Sequence, residues 1–275
     1  GMSYEVIEEI QPTEVVIDSF LQPKPPEKLD VLIVVDTSCS MNDNFQQVSI
    51  GVELLRGDIE KLTLDYKIGF INSGLVSPYF AGPYDYTADP IDFLLAPYLL
   101  GADWFEQGFQ SMYGFVTTTP EGGEFFRDDT DKLIIFVSDE NEQGAIPTNV
   151  FHDWLVEKFE LVQHDVVAII QIENGECPLN WEYDVGQKYI DLVAYYGKVG
   201  IDICSDWEAW LGDSTFLVGE IDYINLTQTP LEDSIVVYRN GLETELWYYL
   251  SETNTVYLDF IPVPGELIEV GYVVL

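Results

Sequence analysis

The chain has 275 residues, of which 49 are acidic and 11 are basic, and its formal net charge at pH 7 is −38. Because such a charge repels nucleic acid and anionic lipid, we expect no nucleic-acid partner and no membrane insertion. Apolar residues make up 47% of the chain, which predicts a globular protein rather than a disordered acidic tail. No apolar run approaches the roughly 20 residues of a membrane-spanning helix. Residues 1–20 lack the basic region of a signal peptide.

The N-terminal segment, residues 1–28, is predicted to be an extension followed by a linker. Within it, Glu14–Phe20 has a strand-like pattern. The pattern leaves two alternatives open: this strand joins a C-terminal sheet, or it packs on the main domain. Residues 22–26 are rich in proline and are typical of a stiff linker.

A buried strand with polar side chains at its carboxyl end follows the linker. Residues 31–35 form an uninterrupted apolar run, which is typical of a parallel strand covered on both faces. Asp36, Ser38 and Ser40 come next, at alternating positions. Ligands of open α/β sheets bind outside the carboxyl ends of strands, and oxygen ligands suit hard cations, so this loop predicts a site for Mg²⁺, Mn²⁺ or Ca²⁺. The structural alternative is that these residues only cap a helix.

Strands and helices alternate over residues 29–217, which predicts an α/β domain with a doubly wound, mostly parallel sheet and helices on both faces. Right-handed crossovers then place the loops after the strands at one edge of the sheet. The stretch 73–101, rich in Pro, Gly and Tyr, is predicted to be a long loop that carries a specificity surface. Besides strand 31–35, the predicted elements are strands 66–71, 133–137 and 165–171 and helices near 44–61, 104–117, 149–162 and 184–196.

The Asp-x-Ser-x-Ser pattern after a buried strand resembles the metal-ion-dependent adhesion site of von Willebrand factor A domains. The resemblance covers residues 29–217 and extends to a bacterial and phage branch of that family. It implies that Asp139, directly after strand 133–137 and Ser138, is the Asp that the family places in the third loop. In Gly101–Phe109, Asp103 stands where the family has Thr. The implied metal ligands are Asp36, Ser38, Ser40, Asp103 and Asp139.

The same resemblance implies a disulfide between Cys177 and Cys204, which flank the helix predicted near 184–196. The alternative is a pair of buried free thiols. A disulfide would indicate an oxidising environment, such as that of a virion or a cell surface.

Residues 218–275 are predicted to form a separate, small antiparallel β domain of the sandwich type. Asn240-Gly241 between two strand patterns is a strong hairpin signal. The segment resembles β-modules appended to phage tail and virion proteins. The predicted strands are Ile221–Leu226, Ser234–Tyr238, Leu246–Leu250, Thr255–Phe260 and Leu267–Val273.

The metal site predicts a divalent-metal-dependent, adhesion-type module that binds a protein partner. A partner's Asp or Glu, or a water in its place, would complete the metal shell. The alternative is a structural particle component whose metal only stabilises the fold. Asp103 favours this alternative, because an added carboxylate leaves the ion less able to attract an external acid. Aromatic residues expected on the binding face are Tyr79, Phe80, Tyr84, Tyr86 and Trp104.

A metal-assisted hydrolase or phosphatase with Asp36 as nucleophile is a further alternative. A strand followed by Asp also resembles the start of haloacid-dehalogenase-like phosphatases, whose second Asp acts as acid and base two residues later. Ser38 occupies that position here. We therefore expect the chain not to be an enzyme.

Overall fold

A computed structural model gives the fold of the chain, which divides into two compact units. One unit is Pro26–Ser214, and the other combines residues 1–25 with residues 215–275. Within the part of the chain that the structure describes, no helix is both long enough and apolar enough to cross a bilayer. The described residues are 14–22, 24–74, 77–177, 184–211 and 222–274, without the side chains of residues 42, 43, 209 and 210.

The first strand, β1 (Glu14–Leu21), belongs to the same unit as the C-terminal residues. It pairs antiparallel with the last strand, Leu267–Val274, so that Glu14 lies opposite Val274 and Leu21 lies opposite Leu267. Of the two alternatives for this segment, the structure therefore has the one in which it joins the C-terminal sheet. Residues 14–21 of the predicted extension form an edge strand, whose backbone pairs with a strand at the far end of the chain.

The α/β unit is built on a six-stranded sheet in the order β4-β3-β2-β5-β6-β7. All neighbours are parallel except β3 and β4, which are antiparallel. Every residue of the central strand β2 is buried, as expected for a strand covered on both faces. The strands are β2 (Leu29–Val35), β3 (Tyr66–Asn72), β4 (Phe80–Tyr84), β5 (Asp131–Ser138), β6 (His164–Ile170) and β7 (Ile201–Asp202).

Helices cover both faces of this sheet, which confirms the predicted doubly wound α/β class. Phe109, Phe151 and Tyr189, from three helices, share one buried cluster with Leu32 and Phe136 of the strands. The alternate residues of β2 are equally buried and point to the other face. The helices are α1 (Phe45–Leu62), α2 (Pro90–Leu99), α3 (Gly108–Thr118), α4 (Pro120–Phe125), α5 (Thr148–Lys158), α6 (Gln187–Ala194) and α7 (Trp207–Leu211).

The stretch 73–101, predicted as one long loop, contains β4 and α2, so that prediction is wrong. Strand β4 forms because β3 supplies its hydrogen-bond partners. Helix α2 begins with two local signals: the Asp89 side chain accepts a hydrogen bond from the Ile91 backbone N–H at 3.0 Å, and Pro90 occupies the first turn. The predicted helix near 104–117 starts later, at Gly108. Residues 101–107 before it form a loop, which is called the second loop below.

Cys177 and Cys204 form the disulfide that the resemblance implied, with a Cα–Cα distance of 5.1 Å. The bond joins the segment after β6 to the segment after β7. It therefore ties together two loops at the carboxyl edge of the sheet.

The second unit has two antiparallel sheets, ordered β1-β13-β9-β10 and β11-β12-β8. Val237, Val256 and Val270 lie in one buried cluster that includes strands of both sheets. Asn240 and Gly241 have φ of 48° and 78° and join β9 to β10, which confirms the predicted hairpin. The strands are β8 (Tyr223–Asn225), β9 (Val236–Arg239), β10 (Leu242–Thr244), β11 (Trp247–Leu250), β12 (Thr255–Leu258) and β13 (Leu267–Val274); the predicted strand start at Ile221 lies outside the described residues.

Candidate metal centre

The segments that directly follow β2, β3 and β5 meet at the carboxyl edge of the parallel sheet. The segment after β2 is the first loop of the site, and the segment after β5 is the third. The backbone N–H of Asp36 donates to the Val137 carbonyl at 2.8 Å, and that of Ser73 donates to the Val35 carbonyl at 2.9 Å. These bonds continue the strand pairing one residue beyond the sheet. Asp36 is therefore held by the sheet itself rather than by a free loop.

The Asp36 side chain is 1% exposed, and its hydrogen bonds come from uncharged donors. Its Oδ1 accepts a bond from the Ser38 backbone N–H at 2.8 Å, and its Oδ2 accepts one from the Ser138 hydroxyl at 2.7 Å. Burial raises the pKa of Asp36, and the nearby charge of Asp103 raises it further. Ser138 was not among the predicted site residues, although it directly precedes Asp139.

A chain of hydroxyls connects the first loop to the third. The Ser38 and Ser40 hydroxyl oxygens lie 2.8 Å apart, and the Ser40 hydroxyl donates to Asp139 Oδ1 at 3.2 Å. Asp139 is completely buried, and none of the described residues donates a hydrogen bond to its Oδ2. Burial raises the pKa of Asp139 to about 7, and the charge of Asp36 is the next cause. The structure thus brings together Asp36, Ser38, Ser40 and Asp139.

Asp103 lies in the same region but is bound differently. Its backbone N–H donates to the Thr37 carbonyl at 3.3 Å, and its Oδ1 accepts a bond from the Trp104 N–H at 2.7 Å. Its half-buried side chain lies against Gly74, where an added Cβ would come within 2.1 Å of the Asp103 Cγ. One oxygen of Asp103 is therefore already occupied by a hydrogen bond from the neighbouring residue.

Glu106, which was not among the predicted metal ligands, is the more deeply buried carboxylate of the second loop. Its exposure is 3%, and its backbone carbonyl accepts a bond from the Gln143 N–H at 2.6 Å, which links the second loop to the third. Burial raises the pKa of Glu106 to about 8, and the charges of Asp36 and Glu140 raise it further. The sequence did contain a signal for Glu106, because Gly101–Phe109 has two acidic residues. The resemblance matched only Asp103 to a ligand position.

The residues of this edge fit a divalent cation. Asp139 Oδ2 is a buried acceptor to which no residue of the described ranges donates, and the charges that raise the pKa of Asp36 and Glu106 are all acidic. The donors are carboxylate and hydroxyl oxygens, which are the ligands of hard cations. Among the described residues, the set of three or more acidic, Cys or His groups whose ligand atoms all lie within 4.8 Å of one another is Cys177, Asp202 and Cys204, whose sulfurs form the disulfide, so Asp36, Glu106 and Asp139 do not converge to that distance. The serine hydroxyls therefore occupy the space between Asp36 and Asp139.

The predicted aromatic surface is only partly present. Tyr79, Tyr86 and Trp104 are 59%, 55% and 77% exposed. Phe80 and Tyr84 are not free contact residues, because they belong to β4 and pack against core aromatic rings. The prediction was wrong for these two because it treated a sheet strand as a loop.

No family model matches the chain, and no curated protein matches it by sequence. Solved structures match it by fold. The pilus adhesin SpaC from Lactobacillus rhamnosus GG, in its open conformation, aligns with a TM-score of 0.50 and 12% identity over 95% of this chain and 40% of the adhesin. Proximal thread matrix protein 1 from the mussel byssus, with a zinc-occupied MIDAS motif, aligns with a TM-score of 0.50 and 11% identity over 71% of this chain and 47% of that protein.

A von Willebrand factor type A protein from Catenulispora acidiphila aligns with a TM-score of 0.48 and 11% identity over 98% of this chain and 66% of that one. The fold comparison rests on the adhesin and the thread protein, of which this chain spans less than half the length. Together with the mostly parallel sheet, it shows a von Willebrand factor A-like fold with an additional antiparallel β unit.

Proposed function

We propose that the chain is a divalent-metal-dependent, protein-binding module of the adhesion type. The observation that carries this proposal is the completely buried Asp139, whose Oδ2 has no hydrogen-bond partner in the described part of the chain, beside the buried carboxylates of Asp36 and Glu106. Buried carboxylates that the protein leaves without a cation are costly. A bound Mg²⁺, Mn²⁺ or Ca²⁺, held by Asp36, Ser38, Ser40 and Asp139, would supply the missing positive charge and attract a further oxygen ligand.

The partner in this proposal is a protein that reaches the metal from the open edge of the sheet. Its Asp or Glu, or a water in its place, completes the metal shell. A cleft beside Ser38, lined also by Thr37, Phe45 and Tyr98, provides room for the partner's chain. The exposed Trp104 adds aromatic contact area of the kind enriched at interfaces.

We place this module in a phage particle or a bacterial surface or extracellular assembly. The Cys177–Cys204 disulfide supports an oxidising setting. The fold similarity to a pilus adhesin supports an adhesive role. The acidic surface, with a net charge of −38, supports solubility and the attraction of divalent cations.

A structural role of the metal is the second candidate, and Glu106 is the observation that favours it. With Asp36, Asp139 and Glu106 all buried, the carboxylates outweigh the charge of one divalent ion. Such an ion would stabilise the three loops while having less residual attraction for a partner's carboxylate. We do not propose catalysis, because Ser38 stands where the phosphatase pattern needs an acid and base.

The first experiment is thermal unfolding of metal-stripped protein during titration with Mg²⁺, Mn²⁺ or Ca²⁺. We expect the Tm to rise with cation concentration. No rise with any of these cations would overturn both candidates.

A second experiment separates the two candidates. An array of peptides that each present one Asp or Glu is probed with the protein, once with the stabilising cation and once with EDTA. Binding that requires the cation and disappears when Asp or Glu is replaced by Asn or Gln supports the adhesive module. A rise in Tm without such binding assigns the metal a structural role.

A further inference from the structure

Three tyrosines form a row across the β11-β12-β8 sheet of the second unit. Tyr248 of β11 is paired with Tyr257 of β12, which is paired in turn with Tyr223 of β8. We call these three residues the tyrosine row. Because directly paired residues point to the same face, the row spans the full width of this sheet.

The rings of the tyrosine row are close to one another and open to solvent. The Tyr248 and Tyr257 ring centroids are 5.2 Å apart with an interplanar angle of 12°, and those of Tyr223 and Tyr257 are 6.1 Å apart. Tyr248 and Tyr223 are 51% and 46% exposed, and Tyr257 between them is partly exposed. Contiguous exposed aromatic surface of this kind marks binding sites more often than scattered single residues do.

The hydrophobic core of the unit does not use this face. The alternating residues of the same strands, among them Ile224, Val256 and Leu258, point the other way and belong to the buried cluster between the two sheets. The tyrosines are therefore not needed to fill the sandwich. Their contribution to folding is limited to cross-strand ring contacts, about 0.2–1 kcal/mol per pair.

A polar pair lies next to the tyrosine row on the same face. Thr255 is paired with Asn225, and the Thr255 hydroxyl donates to Asn225 Oδ1 at 2.8 Å. Asn225 is exposed, so its amide is available to a ligand. The face thus combines aromatic rings with tyrosine hydroxyl and amide groups that donate and accept hydrogen bonds.

Charge excludes anionic ligands from this face. Arg239 is the only basic residue among residues 215–275, and both of its described hydrogen bonds go to Glu266, at 2.8 and 3.0 Å. Aromatic platforms that bind nucleic acid require a positively charged surface beside the rings. The ligand of the tyrosine row is therefore not an anion.

We propose that the tyrosine row binds a neutral polysaccharide. The apolar C–H face of a pyranose ring packs on an aromatic ring, while its hydroxyls bond to groups such as Asn225 and the tyrosine hydroxyls. Successive rings along the row would contact successive sugars of an extended chain. A proline-rich peptide also packs on aromatic rings, but such peptides dock in grooves between aromatic side chains, whereas this row lies on a sheet face.

The test is co-sedimentation of the full chain with insoluble cellulose, chitin and xylan, in EDTA and in Ca²⁺. We expect retention by at least one of these polysaccharides, equal in EDTA and Ca²⁺, because the row is built without the metal loops. Tyr248→Leu and Tyr257→Leu remove a ring but keep an apolar residue with strand-compatible shape. Each should weaken binding about tenfold, the usual cost of losing an aromatic anchor.

The matched control is Tyr195→Leu, which removes a tyrosine of similar exposure, 54%, from the α/β unit and should leave retention unchanged. Thermal unfolding of each variant establishes that it is folded before binding is compared. Retention by none of the three polysaccharides, or equal retention of the wild type and both row variants, overturns the proposal. Binding of a soluble proline-rich peptide to the tyrosine row, without binding of any of the three polysaccharides, also overturns the proposal. Retention that requires Ca²⁺ and is lost in Asp36→Asn would assign polysaccharide binding to the metal edge instead.

Discussion

Two buried aspartates lie at the opposite ends of strand β2 and differ in the charge of the groups around them. Asp30, near the amino end, is 0% exposed, and Asp36, just past the carboxyl end, is 1% exposed. Asp30 accepts hydrogen bonds from the Arg127 guanidinium at 2.8 Å and the Thr130 hydroxyl at 2.7 Å, and Lys132 lies 3.5 Å away. Within the described part of the chain, Asp36 accepts bonds from a backbone N–H and a hydroxyl, both uncharged.

The two carboxylates differ in whether the fold itself supplies a positive charge to them. At Asp30 the protein provides the opposite charge itself, so the ion pair is complete within the fold. At Asp36 the neighbouring charge, that of Asp103, is acidic, and the proposed function assigns the opposite charge to a bound cation. Burial alone does not distinguish the two residues, whereas the sign of the surrounding charges does.

The largest expected effect is that of Asp30→Asn. The variant leaves Arg127 and the buried Lys132 without their shared carboxylate, which should lower the free energy of unfolding by about 3–5 kcal/mol. Urea denaturation without added metal measures this loss. The control is Asp65→Asn, which removes the other carboxylate paired with Arg127. Its side chain is 50% exposed, so the loss there should be below about 1 kcal/mol. Equal losses in the two variants would contradict the role of burial.

The next effect is the loss of metal-dependent stabilisation in Asp36→Asn. At a cation concentration of about 100 times the Kd, binding should stabilise the wild type by about 2.7 kcal/mol. The variant should show no rise in Tm with Mg²⁺, Mn²⁺ or Ca²⁺, because a carboxylate at the centre of the site is gone. The Asp65→Asn control should keep the full rise. A full rise in Asp36→Asn would remove Asp36 from the site.

A third effect is the pH dependence of the metal-free protein. Burial and neighbouring charges raise the pKa of Asp139 to about 7 and that of Glu106 to about 8. The folded protein therefore holds these protons more tightly than the unfolded chain, whose carboxyl groups titrate near pH 4. Stability from these groups should be present at low pH and fall as the pH rises from about 4 to about 8.

Unfolding in EDTA at successive pH values measures this slope. Glu106→Gln has no proton to lose at this position, so its curve should be flatter than that of the wild type above pH 6. A variant curve that is as steep as the wild-type curve would show that Glu106 does not titrate in this range.

The smallest effect distinguishes the two carboxylates of the second loop. Glu106→Gln should weaken cation binding about tenfold, the lower end for groups that tune a metal site. Asp103→Asn should weaken it less, because one Asp103 oxygen already accepts the Trp104 N–H. Calorimetric titration of Mn²⁺ into both variants compares them directly. A larger loss in Asp103→Asn would restore Asp103 as the principal charge of that loop.

Local sequence pattern was enough to predict several parts of the molecule. The apolar run 31–35 fixed the central strand, and the alternation of strands and helices fixed the α/β class, because each pattern suits only one kind of buried surface. The positions of Asp36 and Asp139 after their strands placed both at one sheet edge. Asn240-Gly241 fixed its hairpin, since two successive residues with positive φ favour Asn and Gly.

Other features depend on contacts between distant segments, which local pattern does not predict. Strand β1 joins the C-terminal sheet because its partner lies at the other end of the chain. The stretch 73–101 contains β4 because β3 offers a free edge, and this turns Phe80 inward. Glu106 is 3% exposed, and the third loop bonds to its backbone. In each case the residue's own identity is compatible with exposure, and the neighbours that the fold brings to it decide otherwise.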